Sequence, residues 1–387
     1  MAEETRLIRA GSKARPLVKT VGPAIQKGST VLLPDAGSLY DDDGHVTYGR
    51  QGLSAQVALA DALAELEGAA GVALYPSGLA ALTGAMLAVL KAGDEVLVVD
   101  TIYKPTRRFC DKVLVRFGVA VRYYDPATPP RDLVAGASVA VRLIVMESPG
   151  SLTFEMQDVA AIAALARDRG VLTLADNTWG AGYLFKPIAH GVDLSVQALT
   201  KYVGGHSDVF MGSAAARDPK LAALLAAGIH HLGWAVAAED AYQMLRGLRT
   251  LPIRLARHGE SALKIAAWLA EQPEVGAIHH PALPGAPGHD LWARDYTGAC
   301  GLFAFTLKPA PEAAVNAFLD ALTLFGLGFS WGGFESLAIS CDPQFQCREV
   351  HPGYGGPVIR LHIGLEHPDD LIADLRAGLD AYAAAGT

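Results

Sequence analysis

Two residues equipped for chemistry stand out by their surroundings. Lys201 follows the apolar, β-prone run Asp193-Leu-Ser-Val-Gln-Ala-Leu-Thr200 and precedes Tyr202-Val-Gly204-Gly205. That pattern places an amine just past a strand end, beside glycines that let a ligand approach the backbone. A partly desolvated amine loses its proton more readily and becomes a nucleophile or base. Upstream, Gly170-Val-Leu-Thr-Leu-Ala-Asp176 reads as a short buried strand with a carboxylate at its C-terminal end. Open α/β sheets build their sites at that edge.

A lysine able to form a Schiff base, with an aspartate placed to keep a pyridine nitrogen protonated, is the minimal equipment for pyridoxal phosphate chemistry. Taken alone, Lys201 also reads as a solvated cap at the sheet rim. Further residues fit the same kind of site. Gly71-Val-Ala-Leu-Tyr-Pro-Ser77-Gly78-Leu79 reads as strand, tight turn and helix start. Backbone N–H groups at Ser77, Gly78 and Leu79 would bind an anion there, and no Gly-Lys-Ser/Thr follows to make it a P-loop. Tyr103, after the strand Asp94–Asp100, can stack on an aromatic cofactor or simply pack at the rim. Tyr48 and Arg50 share a face if their segment is extended, and a guanidinium suits bidentate phosphate binding; a solvated loop pair is the plainer reading.

Toward the C-terminus, Phe329-Ser330-Trp331-Gly332-Gly333-Phe334-Glu335-Ser336 sets small residues around a large aromatic. The combination suits close ligand contact or a structural turn. Arg360 lies in the otherwise apolar run Pro357–Leu365. An unpaired charge there is expensive, so Arg360 requires an internal ion pair or an anionic ligand such as an α-carboxylate.

The elements that must position these groups alternate. Strand patterns at Gly71–Tyr75, Asp94–Asp100, 119–124, 141–147, the Asp176 run and the Lys201 run are interleaved with helical periodicity. The helical stretches fall at 54–67 behind Ser54 as a cap, from 78 to about 91, and at 104–117 and 157–169. Alternation of this kind predicts a mainly parallel sheet covered by helices. Helical pattern returns at 217–228 and over 239–271 with a break near Pro252, then at 311–324 and 368–384 around strands at 301–307 and 357–365. The expected organisation is an arm over residues 1–54, a large domain over 55–250 and a smaller α/β domain over 251–387.

With 387 residues, 51% of them hydrophobic and 19% charged, the chain can bury more than one core. Its net charge of −8 argues against nucleic acid or an anionic membrane as the main partner. An acidic N-terminus without an apolar stretch, and four cysteines without CxxC pairs, lead us to expect a cytoplasmic protein. Cys341, Cys347 and His351 do not have zinc-ligand spacing, and no metal is expected.

In order and spacing these motifs resemble the fold-type I pyridoxal phosphate enzymes of cysteine and methionine metabolism. The resemblance runs from Tyr48-Gly-Arg50 to Ile359-Arg-Leu-His-Ile-Gly-Leu-Glu366; its most specific parts are Asp176-Asn-Thr-Trp-Gly-Ala-Gly and Gln197-Ala-Leu-Thr-Lys201-Tyr-Val-Gly-Gly-His-Ser-Asp208. It implies a large domain with a mainly parallel seven-stranded sheet, a smaller C-terminal α/β domain, and pyridoxal 5'-phosphate as cofactor. By the same resemblance Lys201 carries the cofactor, Asp176 pairs with the ring nitrogen, and Tyr103 stacks on the ring and joins in catalysis. Ser77, Gly78, Leu79 and Thr200 would hold the phosphate, with Tyr48 and Arg50 arriving from a neighbouring subunit of a dimer or tetramer. Arg360, Ser330, Trp331 and Tyr48 would meet a thioether amino acid. Many relatives have serine three residues before the lysine, where this chain has Ala198. Trp331 favours the β-eliminating branch, in which L-cystathionine yields homocysteine, pyruvate and ammonia. A γ-lyase or γ-synthase, a broad cysteine-S-conjugate β-lyase or desulfhydrase, and a silent cofactor-binding protein are the competing readings.

Overall fold

The structure, a computed structural model, describes residue 18 and residues 20–40, 45–350 and 353–386. Most of the start of the expected arm, and His351, lie outside the described residues.

Seven strands form the larger sheet: β1 (Gly71–Tyr75), β2 (Glu95–Val99), β3 (Ala120–Tyr124), β4 (Val141–Glu147), β5 (Leu172–Asp176), β6 (Leu194–Gln197) and β7 (Gly212–Ala216). Their spatial order is β1-β7-β6-β5-β4-β2-β3. The pairings among β6, β5, β4, β2 and β3 are parallel, and those of β7 with β1 and β6 are antiparallel. Apolar runs such as Val96-Leu-Val-Val and Leu143-Ile-Val-Met are wholly buried because helices cover both faces of a parallel sheet.

β7 is the strand for which local sequence gives no signal. Gly-Ser-Ala-Ala-Ala has poor β propensity, yet all five residues are buried between β1 and β6. At its start only glycine fits: a Cβ added at Gly212 would sit 2.3 Å from the Ser77 carbonyl oxygen. The expected helix at 54–67 forms over Ser54–Glu67, but Ser54 is its first residue rather than its cap. Gln56 Oε1 reaches back to accept the Leu53 N–H instead.

Five further strands form the smaller sheet, in the order β10-β11-β12-β9-β8: β8 (Val275–His279), β9 (Leu302–Leu307), β10 (Gly326–Leu327), β11 (Leu337–Ser340) and β12 (Val358–His362). Phe303, Phe305, Phe318, Leu371 and Leu375 fill a second core under it. Helix Leu251–Ala270 joins the two cores, with Leu251 and Leu255 in the first and Ile265 and Leu269 in the second. Pro252 sits in the first turn of that helix, where its missing N–H has no intrahelical partner to lose.

Candidate active site

A cleft of about 370 Å³ opens between the two sheets. Its lining includes Lys201, Asp176, Tyr103, Ser77, Gly78, Leu79, Thr200, Ser330, Trp331 and Arg360, which come from six separate stretches of chain.

One wall belongs to the large sheet. After β6 ends at Gln197 the chain folds into a compact turn: Lys201 N–H donates to Ala198 O, Gly204 N–H to Leu199 O and Gly205 N–H to Lys201 O. The backbone of Lys201 is therefore fixed before any ligand arrives. Burial, helped by the Arg360 charge and opposed by Asp176, pulls the Lys201 amine down to about 8. Asp176 closes β5, and burial pushes its carboxyl up while hydrogen bonds from Thr178 hold it back. Thr178 donates twice to Oδ1, through its hydroxyl at 2.6 Å and its backbone N–H at 3.1 Å, which leaves Oδ2 for another donor.

Helix Gly78–Val89 begins at the cleft. The first N–H groups of a helix have no intrahelical acceptor, so Gly78 and Leu79 offer donors to an anion. A Cβ at Gly78 would come 2.4 Å from Ala198 Cβ, so only glycine lets the helix start lie against the Lys201 turn. Ser77 Oγ accepts the Ala80 N–H and keeps its own proton to donate. Thr200 is differently occupied, because its hydroxyl donates to Met211 O at 3.1 Å and accepts the Met211 N–H. A phosphate contact from Thr200 would require giving up the Met211 carbonyl bond.

Glu147 was not singled out by sequence reasoning, yet it lines the cleft and lies beside Asp176 in the β4–β5 register. Its Oε2 accepts the Tyr103 N–H at 2.7 Å, and burial together with Asp176 pushes its carboxyl well above the usual range. The signal that marks Asp176, an apolar strand ending in a carboxylate, was equally present in Val141–Glu147. Tyr103 itself remains 45% exposed at the cleft.

The opposite wall belongs to the small sheet. Lys201 Nζ donates to Ser330 Oγ at 2.8 Å and lies 5.2 Å from the centre of the Trp331 ring. Arg360 on β12 is buried without an acidic partner among its described bonds: Nη2 donates to the carbonyls of Gly328, Phe329 and Ser330, and Nε has no partner. A buried guanidinium with unspent donors beside the reactive amine is suited to a carboxylate. Tyr48 and Arg50, by contrast, do not line their own chain's cleft; Arg50 Nη1 donates to His230 O at 3.0 Å. Among the described residues no group of three His, Cys, Asp or Glu could hold a metal ion, and no helix is long and apolar enough to cross a membrane.

An amine of lowered proton affinity, a buried carboxylate with one oxygen unspent and a helix start with free N–H donors line one cleft, a set that fits pyridoxal phosphate. Comparison with known proteins agrees. Residues 4–380 match the family described as Cys/Met metabolism PLP-dependent enzyme. A putative cystathionine beta-lyase of Rhizobium johnstonii is 46% identical over 98% of this chain and 96% of its own. The cystathionine beta-lyase of Escherichia coli is 41% identical over 97% of both. In structure, the cystathionine gamma synthase of Xanthomonas oryzae in complex with cystathionine superposes with a TM-score of 0.88 at 33% identity, over 98% of each chain. The chain belongs to the Cys/Met metabolism PLP-dependent enzymes, with the fold-type I architecture expected of it and pyridoxal phosphate as its cofactor.

Proposed function

We propose that this enzyme breaks the Cβ–S bond of L-cystathionine, and that with water the products are homocysteine, pyruvate and ammonia. Bound pyridoxal phosphate supplies an aldehyde that captures the substrate amine and a ring that withdraws electrons from Cα. The protein's residues do the rest. Arg360 grips the α-carboxylate through the donors it does not spend on the loop. The Lys201 amine, its affinity for protons lowered to about 8, takes the Cα proton. Asp176, with Oδ2 unspent, would keep the ring nitrogen protonated, and Tyr103 would pack on the ring. Lys201 or Tyr103 returns a proton to the departing sulfur.

Trp331 carries the choice of β- over γ-elimination. Its ring centre lies 5.2 Å from Lys201 Nζ, and the ring narrows the space around the amine. The β-lyase names of relatives at 41–46% identity support the same branch.

A second copy of the chain completes the site in this reading. Tyr48 and Arg50 are turned away from their own cleft, and Tyr48 is 46% exposed. Phe210 and Phe329 stand exposed at the cleft mouth, where a partner's arm would cover them. Four free thiols suit a reducing compartment, and we include a cytoplasmic location in the proposal.

The test is to identify, by mass spectrometry, the keto acid released from L-cystathionine by the purified holoenzyme. Pyruvate with homocysteine is expected. The appearance of 2-oxobutyrate with cysteine would move the enzyme to the γ branch, and no keto acid at all would overturn the substrate.

A further inference from the structure

His362 lies two residues after Arg360 on β12, so the two side chains leave the same face of the strand. It is fully buried. Its Nε2 meets both sides of one glycine pair, the Gly332 N–H at 3.0 Å and the Gly333 carbonyl at 3.1 Å. With its proton on Nδ1 the ring accepts from Gly332; with its proton on Nε2 it donates to Gly333. Either neutral tautomer ties β12 to the loop. Burial, reinforced by the His258 ring and by the Arg360 and Lys201 charges, pushes the His362 imidazole well below its usual range and keeps it neutral.

The tied segment carries the groups that face the amine. Gly332 adopts φ +86°, and a Cβ there would fall 2.9 Å from Cα and C of Lys201, so the loop rests directly on the Lys201 turn. Immediately before it come Ser330, bonded to Lys201 Nζ, and Trp331, whose ring packs 5.4 Å from Tyr202. Tyr202 also packs against His362 at 5.9 Å and His258 at 5.5 Å. Phe329–Gly333 contains no regular secondary structure, so the backbone bonds that fix a strand or helix do not fix this segment. Its anchors are side chains: Arg360 on the carbonyls of 328–330 and His362 on the 332–333 pair.

We infer that His362 is a positioning residue, a buried clamp that sets the Ser330-Trp331 segment against Lys201 and holds Arg360 in register with the substrate carboxylate. It touches neither substrate nor cofactor. Its effect passes through the loop, whose carbonyls in turn orient the Arg360 guanidinium. A clamp of this kind governs how well the carboxylate is held more than how fast the proton moves, and a small misplacement of such a group is costly.

The test compares His362→Leu, which removes the clamp, with His362→Gln, whose amide can both accept and donate near the position of Nε2. Amide hydrogen exchange over 329–334 reads the clamp directly, with or without cofactor and without any substrate. Exchange there should accelerate in His362→Leu, with β9 and β12 staying protected. KM for L-cystathionine should rise about tenfold or more, with a smaller change in kcat, and His362→Gln should restore both. Unchanged loop exchange, acceleration spread over β9 and β12, or a freed loop with unchanged KM would each overturn the inference. The kinetic arm rests on the proposed β-elimination, and the exchange arm does not. A wild-type enzyme that makes no pyruvate would defeat the former reading while the exchange comparison still decides the role of His362.

Discussion

The two walls of the cleft present chemistry to the same amine, but they are built differently. On the large-sheet side, Asp176 closes a strand, Gly78 opens a helix and Lys201 sits in a turn locked by three backbone hydrogen bonds. On the small-sheet side, Ser330 and Trp331 ride on a loop that borrows its geometry from two side chains of β12. Backbone hydrogen bonds hold the first wall, provided that Gly78 stays small enough to lie against Ala198. The second wall depends on individual side chains, so a single substitution at an anchor should move it more than any single substitution moves a backbone-bonded strand.

That contrast can be broken or sharpened by substitution. The largest effect belongs to the first wall: Lys201→Ala should lower pyruvate release by about 10⁴-fold or more, since in the proposed reaction the amine both carries the cofactor and moves the proton. Near-normal turnover in a pyruvate assay would remove Lys201 from the mechanism.

Arg360→Leu comes next, and it reports on both walls together. Losing the carboxylate grip should raise KM about 100-fold. It should also move a pH limb. Lys201 must be neutral to accept a proton, so with the amine at about 8 kcat should fall as pH drops below that value. Arg360 lowers the amine's proton affinity, so its removal should shift the limb to higher pH. A pH–rate profile that stays in place would show that the two walls are electrostatically independent.

The smallest effect is expected from Thr178→Val on the first wall. Thr178 supplies two donors to Asp176, and both hold the Asp176 proton affinity down. The valine keeps the backbone donor and loses the hydroxyl, so the Asp176 carboxyl should rise further. Cofactor affinity, read by absorbance during dialysis, should weaken by about tenfold, the scale of one charged hydrogen bond. A loss as large as that of Lys201→Ala would mean that the first wall is less robust than its backbone suggests.

Much of the first wall was legible in the chain itself, because its signals are local. An apolar run ending in Asp176, a lysine before two glycines, and Tyr-Pro-Ser-Gly ahead of a helical pattern each occupy fewer than about a dozen residues, within the reach of periodicity and turn chemistry. Glu147 ends an apolar strand in the same way, and its place beside Asp176 depends on the β4–β5 register. Arg360 could be read as a buried charge in need of an anion, since the cost of burying it does not depend on which loop lies opposite.

Tertiary structure alone decided the rest. β7 is a strand because it pairs with β1 on one side and β6 on the other, not because Gly-Ser-Ala-Ala-Ala prefers extended backbone. Thr200 gives its hydroxyl to Met211, a partner created by the way the turn folds back. The bond between His362 and Gly332 joins residues 30 apart in sequence, and its value lies in where it leaves Trp331 relative to Lys201. Local sequence fixes which backbone a segment prefers; which side chain ends up holding which loop depends on packing between elements, and no local pattern encodes that.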